Sequence, residues 1–113
     1  MAEIAEVKSV IDAFCRALSR RGIRSGRVFL FGSWSRGESR GDSDIDLAIV
    51  SPDFAPMDYW TRIEALAGAV ADVRAPIEAV AFTPEEFQDS GRPVAAFART
   101  GIEVDCDLVF TQV

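Results

Sequence analysis

Two aspartates, Asp44 and Asp46, stand one residue apart at the head of the apolar run Ile45 to Val50. In an extended chain the side chains at i and i+2 share a face, with Cα atoms ~6.5–7 Å apart. Carboxylates on one face repel each other unless a cation lies between them. Between Ile45 and Leu47 such a pair is costly for a core strand. Two divalent ions ~3.5–4 Å apart, clamping a phosphoryl group, would account for it. A first apolar run, Arg27 to Phe31, ends in Gly32-Ser33. Glycine after a strand lets backbone approach a ligand closely. Ser33 is placed to cap a following helix, whose free N–H groups favour an anion. The bland alternative is a turn at Gly32-Ser33, with Ser43, Asp44 and Asp46 as exposed strand-edge polars. Each residue alone favours the bland alternative. Their combination between two apolar runs favours a site that holds a phosphate and a metal.

The flanking elements follow from hydrophobic spacing. Ile4, Val7, Val10, Ile11, Phe14 and Leu18 recur every three or four residues, which predicts an amphipathic helix. Arg20 and Arg21 fall in its last turn and Gly22 is its stop. The runs at 27–31 and 45–50 predict buried strands. Trp60, Ile63, Leu66, Ala67, Val70 and Val73 mark a second helix, and Ile77 to Phe82 a third strand. Thr83-Pro84-Glu85-Glu86 is a helix start, with a capping Thr, Pro at the first position and Glu three residues after the cap. A further helix runs from Val94 to Arg99. From Ile102 to Phe110 apolar residues alternate with Glu103, Asp105, Asp107 and Val109, as in a strand with one solvated face. The order is helix, strand, strand, helix, strand, helix, helix, strand. It predicts one α+β domain over 1–113 with a small mixed sheet flanked by helices. Trp60 is expected in the core; Trp34, inside the loop, is balanced between core packing and stacking on a base or a partner ring.

Composition narrows the chemistry. The 113 residues contain no histidine, so Ser-His-Asp and Cys-His mechanisms are excluded. Any metal must then be held by carboxylates, which points to a hard cation such as Mg²⁺. The two cysteines, Cys15 and Cys106, are expected as buried small hydrophobes rather than a disulfide. A net charge of −6 argues against nucleic-acid binding through phosphate neutralisation. No apolar run reaches the ~18–20 residues of a membrane span, and the acidic, periodic N-terminus is unlike a signal peptide. The expected location is cytoplasmic. Arg16, Arg20, Arg21 and Arg24 read as a solvated helix end, whereas Arg36 and Arg40 are balanced between solvation and an electropositive rim beside a phosphate.

Gly32-Ser33, ten intervening residues and Asp44-x-Asp46, with Arg36-Gly37 in the loop and Ser43 before the first Asp, carry a resemblance. They are similar to the GS-x10-DxD signature of MNT-type minimal nucleotidyltransferases, small members of the polymerase-β-like nucleotidyltransferase superfamily. The likeness runs through nearly the whole chain in element order, and Ala98-Arg99-Thr100-Gly101-Ile102 resembles the close of the family's last helix. It implies the polymerase-β-like fold. It also implies a third carboxylate from the next strand, where Glu78 stands in place of the usual Asp. Asp72 is a weaker candidate for that role.

By the same resemblance, Asp44, Asp46 and Glu78 are the catalytic and metal-ligating residues, holding two Mg²⁺ ions. Gly32, Ser33, Arg36 and Ser43 are the nucleotide-binding residues, and ATP is the substrate. For members of this size the implied activity is transfer of AMP to a hydroxyl, a tyrosine, of a partner HEPN-type toxin. The chain would then be the antitoxin of the pair. At this length it has no room for the acceptor-binding domain of antibiotic-modifying or RNA-tailing relatives, so the acceptor is expected from a separate partner. An acidic chain suits a nuclease whose RNA-binding face is basic. The alternatives are a catalytically inactive binding antitoxin and a small-molecule nucleotidyltransferase working as an oligomer.

Overall fold

The computed structural model describes residues 4–24, 26–34, 44–89 and 91–104. Their order is α1 (Ile4–Arg20), β1 (Arg27–Phe31), β2 (Ile45–Val50), α2 (Tyr59–Val73), β3 (Ile77–Phe82), α3 (Pro84–Gln88), α4 (Pro93–Arg99) and β4 (Ile102–Val104). Single 3-10 turns at Gly32–Trp34 and Pro52–Phe54 follow β1 and β2. The expected mixed α+β architecture is present. Four strands lie in the order β3-β2-β1-β4, with β2 parallel to β3 and β1 antiparallel to both of its neighbours.

Strand alternation sorts the apolar residues onto two faces. Val28, Leu30, Ile45, Leu47 and Ile49 join Val7, Ile11, Phe14 and Leu18 of α1 and Leu66 and Ala69 of α2 in one core. Phe29, Phe31, Ala48, Val50 and Phe82 form the other core with Phe87 of α3 and Ala95 and Ala98 of α4. Each odd–even switch along a strand therefore changes the helix layer it meets. Both layers are needed because every strand but β4 is apolar on both sides.

Local signals end the helices where the sequence placed them. Gly22 has φ +85°, and the N–H groups of Gly22 and Ile23 donate to the carbonyls of Ser19 and Leu18, each at 3.0 Å. This reciprocal pair closes α1 and turns Ile23 back into the core. At α3, the Thr83 hydroxyl accepts from the Glu86 N–H and the Glu86 carboxylate accepts from the Thr83 N–H, the expected capping box.

Two expectations are corrected. Cys15 is buried, as expected, but disulfide-bonded rather than a free thiol; the expectation rested on separation along the chain, which does not fix separation in space, and on a reducing compartment. Trp60 is 68% exposed, whereas Trp34 is 6% exposed in the core beneath α1 and α2. Trp60 precedes Ala69 by about two and a half turns at ~3.6 residues per turn, which places it opposite the buried stripe of α2. The strand expected over Ile102 to Phe110 is present as β4 through Val104, and the rest of that run lies outside the described residues.

Candidate active site

The carboxylates meet at one end of the sheet. Because β1 and β2 are antiparallel, β1 finishes where β2 begins; because β2 and β3 are parallel, β3 begins there too. Asp46 is in register with Phe31 on one side and with Glu78 on the other. All three belong to the face that also carries Ala48, Val50 and Phe82; Phe31 packs there against Phe97 of α4, whereas Asp46 is half-buried and Glu78 exposed. Asp44, two residues before Asp46, is on that same face by the strand period, and it too is exposed. A lone carboxylate at the head of an otherwise apolar β3 thus stands beside the aspartate pair.

Gly32 completes the corner. Its φ is +73°, a backbone conformation that L side chains rarely adopt. A Cβ built on Gly32 would collide with Oδ2 of Asp46. The close approach expected at this glycine is therefore made by the Asp46 carboxylate itself, which lies against the backbone of the turn. Ser33 continues a single 3-10 turn through Trp34. Arg36 and Ser43, the other expected nucleotide contacts, lie outside the described residues, as does Arg40.

As donors, Asp44, Asp46 and Glu78 are uniformly hard oxygen ligands, the chemistry that suits Mg²⁺. Register brings them to one face and one sheet end. Among the described residues, however, no three acidic or thiol side chains gather closely enough to hold an ion. Asp72 is elsewhere: its carboxylate pairs with Arg21 at 3.3 Å on the surface, both side chains about two-fifths exposed. Arg16, Arg20, Arg21, Arg24 and Arg27 are exposed. Arg24 pairs with Asp53, and Arg27 grips Glu103 through two 3.0 Å hydrogen bonds. Arg27 holds the Glu103 carboxyl below the usual range, and the Arg24 N–H and guanidinium do the same for Asp53.

A second feature was not anticipated. A groove of about 710 Å³ runs beside β3, between α2 and the α3–α4 connection. Arg62 donates to Glu86 at 2.7 Å within it. This hydrogen bond is the main cause of a lowered Glu86 pKa, opposed by burial and assisted by the Thr83 N–H. The available sequence signal was Tyr59-Trp60: two consecutive bulky aromatics cannot both face inward on one helix. In the structure they pack edge-to-face, with ring centroids 5.1 Å apart, and each is 68% exposed.

A small mixed sheet between two helix layers, with carboxylates from the parallel strands β2 and β3 set beside a glycine turn, frames the candidate site. The family model described as Nucleotidyltransferase domain matches residues 7–100. The chain belongs to that family. A candidate nucleotidyltransferase from Sulfolobus solfataricus, known from a crystal structure, shares the fold at a TM-score of 0.58 and 19% identity, over 70% of this chain and 68% of that one. No curated protein sequence matches the chain significantly. Among the described residues, no helix is long and apolar enough to cross a membrane.

Proposed function

We propose that the chain is a minimal nucleotidyltransferase that moves AMP from ATP to a tyrosine hydroxyl of a HEPN-type toxin, and so acts as the toxin's antitoxin in the cytoplasm. The observation that carries nucleotidyl transfer is the juxtaposition of Asp46, Glu78 and Gly32 at one sheet end in a chain of this family. The step from general transfer to protein adenylylation rests on the resemblance of the motif spacing.

Asp44 and Asp46, with Glu78 as third ligand, would hold Mg²⁺, which supplies charge neutralisation and alignment of the triphosphate when bound. Peptide N–H groups of the Gly32–Trp34 turn face the phosphates. Glu78 accepts the proton of the acceptor hydroxyl as its oxygen attacks the α-phosphorus. The new O–P bond replaces the bond to the β-phosphate, and pyrophosphate leaves. The acceleration then comes from positioning and preorganised charge rather than from a covalent intermediate.

A binding-only antitoxin is the second reading, favoured by Glu78 standing where the resembled family usually has Asp. Incubation with labelled ATP, Mg²⁺ and the product of the neighbouring gene separates the two. Transfer of label, lost in Asp44→Asn plus Asp46→Asn, supports the enzyme. Complex formation without label transfer, unchanged in that variant, refutes it.

A further inference from the structure

Most of the large apolar side chains left exposed lie around one groove. Tyr59 and Trp60 open α2, each 68% exposed and packed edge-to-face on the other. Asp58 caps this helix by accepting from the Thr61 N–H at 2.8 Å, so the ring pair stands on a fixed first turn. Ile63 is one turn further along and, with Tyr59, lines the 710 Å³ groove beside β3 from the α2 side; Val94 lines it from α4. Rigid exposed aromatics beside an apolar recess are the makings of an interaction surface. The charges of the groove are paired within the chain, Arg62 with Glu86 at 2.7 Å and Arg92 with Asp89 at 3.5 Å. What is left for a partner to meet is apolar, chiefly Met57, Leu66, Val80 and Val94.

Area decides between the occupants. At ~200 Å² for a whole aromatic side chain, two rings at 68% exposure offer roughly 270 Å². A partner that only filled the groove, or only covered the rings, would remove about that area from each side, roughly 540 Å² in all. That is the size of an incidental contact, since specific interfaces bury ~1,000 Å² or more. Projecting rings and recess adjoin on one surface, however, so the surface complements itself. A recess of this volume accepts a drug-sized body, and an indole is smaller. In a two-fold pair each copy gives its rings once and its groove once. The contact is then made twice and buries roughly 1,100 Å². The copies repel through their net charge of −6, and a surface whose charges are already paired is where that repulsion is least.

We propose that two copies of the chain pair about a two-fold axis, with Trp60 of each seated in the groove beside β3 of the other. This does not depend on the nucleotidyl-transfer reading. The carboxylate corner stays open in such a pair. β2 runs from Asp46 toward Val50, and Tyr59 lines the groove together with Phe82, the last residue of the parallel β3. The aromatic pair is therefore at the other end of the sheet from Asp46 and Glu78. At this area the dimer is weak and reversible.

The test is sedimentation velocity of the full chain from roughly micromolar to hundreds of micromolar, with acrylamide quenching of its fluorescence over the same range. The chain has two tryptophans and Trp34 is buried, so the quenchable signal is that of Trp60. The expected outcome is a reversible step from one copy to two, with quenching reduced several-fold as the dimer forms. Added salt should tighten the dimer by screening the repulsion. Trp60→Ala should weaken it by about 100-fold or more, because each dimer loses two aromatic anchors; Ile63→Asp should weaken it too. At dilution, where the copies are apart, Trp60→Ala should unfold as the parent does. Quenching uses the unmodified chain, so it decides the matter even if a variant folds poorly. A single copy at every concentration, a mass that climbs past two copies, or a dimer that leaves Trp60 equally quenchable would each overturn the proposal. So would a chain that stays single while a different protein shields Trp60, since the surface would then belong to that partner. Asp44→Asn plus Asp46→Asn should pair as the parent does, so a failure of AMP transfer and a failure of pairing are read apart.

Discussion

Gly32→Ala isolates the contact on which the corner of the site depends. Two costs are expected. A non-glycine residue at φ +73° carries a penalty of about 1–2 kcal/mol. The new methyl group would also occupy the position of Asp46 Oδ2, forcing that side chain off its rotamer at about 0.5–1.5 kcal/mol. The sum is about 1.5–3.5 kcal/mol, which lowers the melting temperature by about 6 °C or more at roughly 4–8 °C per kcal/mol. Gly22→Ala is the internal control, since its φ is +85° but a Cβ there would meet nothing within 4 Å. It should show the backbone penalty alone. In a double-mutant cycle, Asp46→Ala removes the obstructing carboxylate. Gly32→Ala and Asp46→Ala should therefore couple by about 0.5–1.5 kcal/mol, with the double variant more stable than additivity gives. Thermal and urea unfolding followed by circular dichroism measure all four corners of the cycle. Equal losses for the two glycine variants, together with zero coupling to Asp46, would refute the placement of the carboxylate against the turn.

Other outcomes follow from burial, capping and charge. Trp34→Ala should cost about 3–5 kcal/mol in urea unfolding and Trp60→Ala within about 0.5 kcal/mol, because only the first indole is buried; the reverse ranking would place the wrong tryptophan in the core. Thr83→Ala should cost about 1 kcal/mol in the same assay, through loss of the cap at α3. The Glu86 pKa is lowered in the folded state, chiefly by Arg62, so its stabilising contribution is complete above the unfolded value of ~4.3 and is lost as pH falls through the folded value. Melting temperature should accordingly fall more steeply with acidification in the parent chain than in Glu86→Gln, and parallel curves would refute the assignment.

Much of the architecture was legible locally. The three- and four-residue spacing of Val7, Ile11, Phe14 and Leu18 marked α1, and the runs at 27–31, 45–50 and 77–82 coincide with β1, β2 and β3. Thr83-Pro84-Glu85-Glu86 marked the start of α3, because a capping box is made by residues three apart and needs no distant partner. Asp44 and Asp46 were assigned to one face by strand period alone. Glu78 was reached through the family's pattern, and its place beside Asp46 became a fact of geometry only with the parallel register of β2 and β3. Tryptophan burial was misjudged because a loop indole and a helix indole look alike until the partner surfaces are known.

Short-range chemistry in the sequence determined the elements, their stops, the absence of histidine chemistry and the spacing of the aspartate pair. Interactions among residues far apart in the chain decided the strand order, the register of Asp46 with Glu78 and the seating of the Asp46 carboxylate on Gly32. They also left β3 at the edge of the sheet, beside the groove that holds the Arg62–Glu86 pair. The division has a physical cause. Helix periodicity and capping are set within one or two turns, whereas register, edge position and groove shape arise only when two helix layers bury both faces of one sheet.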